Sequence, residues 1–160
     1  MGRQLTYPIT AQIRDGDITD AMLATQPKGY IIPLNMNATN PTAGLTYYFG
    51  APMATAPTTT VNLRKIKIPK NGTITAVSVK ASVFTTLGTA EASTLYIRLN
   101  NTTDYAIDTV MNMSAITYAA VNSSLSIPLV AGDEIEMKWV TPAWVTTPTN
   151  MPMSVILYIT

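Results

Sequence analysis

At 160 residues the chain has room for one domain plus an arm, and only 12% of its side chains are charged, with a formal net charge of +1. That balance supplies no field to steer nucleic acid or an acidic surface. Cysteine and histidine are both absent, which removes disulfides, thiolate metal sites, the usual general base and the middle member of a Ser-His-Asp triad. What remains favours strand and turn: Thr is abundant alongside Val, Ile and Tyr, while 11 Pro and 8 Gly punctuate the chain. No segment holds an apolar 3.6-residue period over three turns, so an all-β protein is expected.

Residues 1–44 consist of short apolar pieces divided by polar and Pro/Gly breaks, among them Asn35-Met-Asn-Ala-Thr-Asn-Pro41. The start, Met-Gly-Arg-Gln-Leu-Thr-Tyr-Pro, lacks the apolar centre of a signal peptide, and no apolar run approaches the ~18 residues of a membrane span. The expectation is synthesis in the cytoplasm with no membrane partner. Thr19 or Asp20 is placed to cap a short helical turn over Ala21–Ala24. Asp15-Gly-Asp-Ile-Thr-Asp20 spaces its oxygens somewhat as a calcium loop does, but it lacks the full ligand series and the closing Glu and reads as a turn entering that cap. No metal or other cofactor is expected. Nothing before Gly44 alternates long enough to build a sheet alone, so 1–44 reads as an extended arm that gains order on another subunit or a larger particle. Leu5, Tyr7, Ile9, Ile13 and Ile18 are its anchoring residues, enough to fill a partner's groove and too few for a core.

From Leu45 the pattern becomes regular, and 45–160 reads as one domain. Leu45–Phe49 is a first strand, closed by Gly50-Ala-Pro52. A Pro/Thr-rich loop, Met53–Thr60, leads to Lys65–Ile68, with Ile66 and Ile68 inward, and Asn71-Gly72 then signals a hairpin. Thr73–Phe84 is a long strand, Gly88 a break, and Thr94–Asn100 a strand with Leu95, Ile97 and Leu99 inward. A turn at Asn100–Asp104 precedes a strand over Tyr105–Val110, and Asn122-Ser-Ser124 breaks the chain again. Leu125–Leu129 and Glu134–Val140 flank the turn Ala131-Gly-Asp133, and Met153–Thr160 ends the series. About eight short strands at even spacing read as an antiparallel jelly-roll sandwich. The last strand is apolar on both faces, Val155, Leu157 and Ile159 on one and Ile156 and Tyr158 on the other. Its second face needs cover, from another copy or from a loop or the arm of the same chain.

Chemistry is thin. Arg64, Lys65, Lys67 and Lys70 form a basic cluster without interleaved aromatics, which reads as a solvated strand face and not a nucleic-acid site. Glu134 and Glu136 lie on one strand face ~7 Å apart by strand rise, a spacing that suits an inverting glycosidase pair. Beside Lys138, on an alternating strand, both are expected in solvent with no pKa shift, so no enzyme is expected. Trp139 fits the core side of its strand. Trp144 sits in a Pro-bounded loop, where packing and stacking on a sugar are both open, and it is the candidate ligand contact.

Tyr47-Tyr-Phe-Gly50, Ile66-Lys-Ile-Pro-Lys-Asn-Gly-Thr-Ile74, Leu95-Tyr-Ile-Arg-Leu-Asn-Asn-Thr-Thr-Asp104 and Lys138-Trp-Val-Thr-Pro-Ala-Trp144, in that order, resemble small distal domains of bacteriophage fibres. The strand-Gly-Asp-strand ending is also similar to the trimeric jelly rolls of tumour necrosis factor and complement globular heads. The resemblance covers roughly Leu45–Thr160 and lacks a collagen-like or heptad stalk before it. It implies a homotrimeric virion protein: a head fibre, tail-fibre tip or capsid decoration knob, joined to other virion proteins through the arm and contacting the host surface. Ile156 and Tyr158 are then the trimer interface. The competing reading is a carbohydrate-binding module for bacterial surface glycans.

Overall fold

The computed structural model describes residues 29–50 and 56–160. The arm residues Leu5, Tyr7, Ile9, Ile13 and Ile18, the short helical turn and the Asp15–Asp20 segment lie outside the described residues. Among the described residues the chain is all strand and loop. In order the strands are β1 Tyr30–Ala38, β2 Thr46–Phe49, β3 Ile66–Lys67, β4 Gly72–Ser82, β5 Ser93–Leu99, β6 Thr103–Met111, β7 Thr117–Asn122, β8 Ile127–Leu129, β9 Glu134–Val140 and β10 Met151–Ile159.

They form two antiparallel five-stranded sheets. The first runs β1-β10-β4-β7, with β8 continuing the β7 position along β4. The second runs β2-β9-β5-β6, with β3 continuing the β2 position along β9. With each broken pair counted as one position, this is the four-over-four order of a jelly roll. Between the sheets lie alternate side chains of β1, β2, β4, β5, β9 and β10: Leu34, Met36, Phe49, Ile74, Val77, Val79, Leu95, Ile97, Ile135, Met137, Trp139, Val155, Leu157 and Ile159 are all buried. Alternation at a period of two is the reason, because a pleated strand sends successive side chains to opposite faces.

Three local expectations change. The sandwich begins well before Leu45, because Tyr30–Ala38 is a nine-residue strand paired along its whole length with β10. Its alternation is visible in retrospect: Leu34, Met36 and Ala38 are buried while Asn35 and Asn37 are exposed. Pro33, within the strand, is tolerated because β1 is an edge strand. A truncation at Leu45 would therefore strip β10 of one neighbour. Second, Asn71-Gly72 makes no hairpin. β3 pairs with β9 and β4 with β10, so the connection passes from one sheet to the other. The Ala131–Asp133 turn crosses between sheets in the same way, with Gly132 at φ +94. The tight hairpin that does form joins β5 and β6, where Asn100 and Asn101 take positive φ, as asparagine does more readily than most residues. Third, β7 adds a strand where none was expected.

Candidate functional site

The two outer faces of the sandwich differ in kind. On the β2-β9-β5-β6 sheet, the outward residues of facing strands are charged and matched. Asp104 accepts from Arg98 Nη1 at 2.7 Å and from Lys138 Nζ at 2.6 Å, and Lys65 Nζ donates to Glu134 at 2.8 Å. Lys138 Nζ lies 5.2 Å from the Tyr96 ring centroid, and Lys70 Nζ lies 5.1 Å from that of Tyr30. Burial pushes the Asp104 carboxyl up, but its bonds to Lys138 and Arg98 outweigh this and hold it below the usual carboxylate value. Of the basic cluster, Lys65 is thus half of an ion pair, not a free solvated charge.

Glu136 corrects a second expectation. It points outward from its strand, as the alternation requires, yet only 1% of it is exposed. The loop between β2 and β3 closes over it: the Asn62 N–H donates to Glu136 Oε1 at 3.3 Å. Gly50 makes the fit possible, because a Cβ there would stand 2.2 Å from the Arg64 carbonyl oxygen. Burial raises the Glu136 pKa, and the Asn62 N–H and the Lys65 and Arg98 charges only partly offset it. The folded state therefore holds this proton more tightly than the unfolded chain. Stability from this group is full below the ordinary value of 4.5 and falls as pH rises through the raised folded value. Asp104 works in the opposite direction and in a lower window, losing its contribution as pH drops below 3.8. Urea unfolding from pH 4.5 upward should show a decline that Glu136→Gln removes; an unchanged slope in the variant would mean that Glu136 is not the group. As a glycosidase pair, Glu134 and Glu136 are separated by this loop, one bonded to Lys65 and the other covered.

Among the described residues the outer face of the β1-β10-β4-β7 sheet has no such lattice, and its strands contribute one charge, Lys80 of β4. Ile156 and Tyr158, the expected interface residues, are 38% and 55% exposed on the middle of it. The strand register sets Ile31 beside Tyr158, and Pro33 and Ser78 on either side of Ile156, with Val121 next in line. Ile31 and Val121 are themselves well exposed. Neither a loop nor any other described segment of the chain covers this row.

Trp144 does not reach solvent. It is 7% exposed and packs on Trp139 with ring centroids 5.9 Å apart, while Trp139 meets Tyr47 at 5.5 Å. The loop between β9 and β10 folds inward because Pro142 and Pro148 bracket an indole that gains more from the core than from water. The face proposed for a sugar is consequently closed.

One feature escaped the sequence reading. Between the edge strands β6 and β7 the sandwich opens into a cleft of about 350 Å³, with Val77, Val79 and Ile107 at its floor and Tyr118, Ala120 and Asn122 along its β7 wall. Tyr118 donates to Asp108 Oδ2 at 2.7 Å across it, and Val110 N–H to Oδ1 at 3.1 Å. Burial and the Asp108 charge raise the Tyr118 phenol, so it stays a donor. The only sequence signal was Thr117–Asn122, too rich in Ala to read as a strand.

No family model matches this chain, and no curated protein matches it. Among solved structures it is similar to the crystal structure of FlhE, at a TM-score of 0.45 and 9% identity, over 82% of this chain and 96% of that one. That likeness is too distant to carry an argument about function. Among the described residues no helix is long and apolar enough to cross a membrane, and no group of three Asp or Glu gathers as a metal site.

Proposed function

We propose that this chain is a structural protein of a bacteriophage virion, a trimeric head-fibre, tail-fibre tip or capsid decoration protein. The virion role rests on the resemblance of Leu45–Thr160 to fibre distal domains, and the observation that supports its oligomeric part is the contrast between the two sandwich faces. One is sealed by ion pairs and a loop, while the other leaves Ile31 and Tyr158 in one rung and Ile156 and Val121 in the next exposed, with Lys80 two residues along β4 from Ser78. Exposed apolar side chains that adjoin across the middle of a sheet mark a surface made to be covered. A threefold arrangement with β10 near the axis covers it with two further copies. Residues before Tyr30 then join the trimer to other virion proteins, and the far end of the knob faces the host.

The glycan-binding alternative has lost the indole on which it rested. Two measurements test the proposal together: native mass spectrometry of the purified chain, and immunogold labelling of intact phage particles. A trimer that decorates particles is the expected result. A monomer at micromolar concentration, or particles that never label, would overturn it.

A further inference from the structure

A sandwich with an open side leaves two edges, and the four edges here are not treated alike. β1 carries Pro33 and is bridged to Gly50 through Asn35. β2 is covered by a bridge from Tyr48 to Thr58. β6 carries Asp104 and Asp108 and pairs with β5 through register shifts. Such charges, prolines and irregularities are how proteins stop further strands from adding. β7 has none of them. Thr117-Tyr-Ala-Ala-Val-Asn122 holds no charge and no proline, pairs with β4 without a bulge, and has no other strand partner among the described residues. Alternate residues of β7 therefore turn their N–H and C=O groups outward unpaired. Directly inside this edge lies the cleft floored by Val77, Val79 and Ile107.

The residues before the described fold contain a segment of matching pattern. In Leu5-Thr-Tyr-Pro-Ile-Thr-Ala-Gln-Ile13, positions 5, 7, 9, 11 and 13 are apolar while 6, 8, 10 and 12 are Thr, Pro, Thr and Gln. A period of two is the strand period, and it puts all the apolar side chains on one face. Pro8 shares its parity with the polar set. If the odd residues bond to β7, the missing N–H of Pro8 falls on the outward side, where it closes the new edge against further addition.

We infer that Leu5–Ile13 of one copy adds as an antiparallel strand to β7 of a neighbouring copy and drives its apolar face into the β6–β7 cleft. This rests on the oligomer proposed above and names how its copies are joined, leaving Ile18 and the charged stretch before it to reach the particle. Exchange between copies is favoured over docking within one by the course of the chain. A strand antiparallel to β7 runs in the same direction as β1, and its site lies four strand spacings from β1, ~19 Å away. Within one chain, residues 14–28 would have to return along the length of the strand and across the sheet. A return over the outer face would have to carry Asp15, Asp17 and Asp20 across a sheet face that exposes Ile31, Ile156 and Tyr158. A neighbour's arm meets no such demand, and head-to-tail exchange closes on itself in a ring of three.

The absence of cysteine makes the test clean. Full-length chains carrying Ala120→Cys with Tyr7→Cys, Ile9→Cys or Ala11→Cys are oxidised and run on non-reducing gels. At least one pair should give covalent dimers and trimers that collapse to monomer on reduction. Ala120→Cys with Thr10→Cys, on the opposite strand face, should link far less. A linked species that stays at monomer mass would overturn the exchange between copies. Free thiols in every pair of a protein that is still trimeric would overturn the arm docking while leaving the trimer intact. Free thiols in a monomeric protein would overturn both.

Discussion

Replacing Tyr158 by Lys is expected to turn the proposed trimer into monomers without unfolding them. Tyr158 is 55% exposed in the single chain and lies on the outer face of β10, so its replacement disturbs no core contact. Its inward neighbours Leu157 and Ile159 are fully buried and stay so. In the assembly, a lysine at this row would be taken out of water facing Ile31, Ile156 and their counterparts on the next copy, with no carboxylate among them. An unpaired buried charge costs ~3–5 kcal/mol. That corresponds to association weakened by roughly 100-fold or more. Ile156→Lys should act in the same direction. Light scattering reads the mass, and circular dichroism the fold. A Tyr158→Lys chain that remains trimeric at micromolar concentration would remove this face from the interface.

The second large effect belongs to the interior. Trp139→Ala should destabilise the monomer fold by ~3–5 kcal/mol, the range for deleting a large aromatic from a packed core. Trp139 is fully buried at the centre of the second sheet and is flanked by Tyr47 at 5.5 Å and Trp144 at 5.9 Å. Its removal takes from both rings the aromatic neighbour they share. For a domain whose whole stability is of the order of ~5–15 kcal/mol, a fall in Tm of ~10 °C or more follows. Trp144→Ala should cost less, because that ring closes the end of the row. Thermal unfolding of the two variants tests the packing. A Trp144→Ala protein with wild-type Tm would contradict the burial of its ring.

Much of the architecture could be read from particular residues. Ile135, Met137 and Trp139 alternate with Glu134, Glu136 and Lys138, and the structure puts the first three inside and the second three on the outer face. Val77, Val79 and Ala81 do the same in β4. The misses have identifiable causes. β1 was hidden by Pro33 and by Asn35 and Asn37, which are unremarkable on an edge strand but read as breaks in isolation. β7 was hidden by its alanines, which carry little strand preference of their own and are held by pairing with β4.

Side-chain periodicity is a property of the local chain, so the sequence by itself determined the all-β class, the inward face of most strands and the doubly apolar character of β10. It also marked Ile156 and Tyr158 as needing cover. Where a strand finds its partners depends on contacts distant in sequence, and only the tertiary structure decided those. It sent the Asn71-Gly72 and Gly132-Asp133 turns across the sandwich instead of into hairpins, because β3 and β9 belong to one sheet while β4 and β8 belong to the other. Through the loop held by Asn62 it buried Glu136, which alternation alone leaves in solvent. It turned Trp144 inward onto Trp139. And it left β7 without a second neighbour beside an open cleft, a feature that arises from how two sheets meet and that no single segment of the sequence encodes.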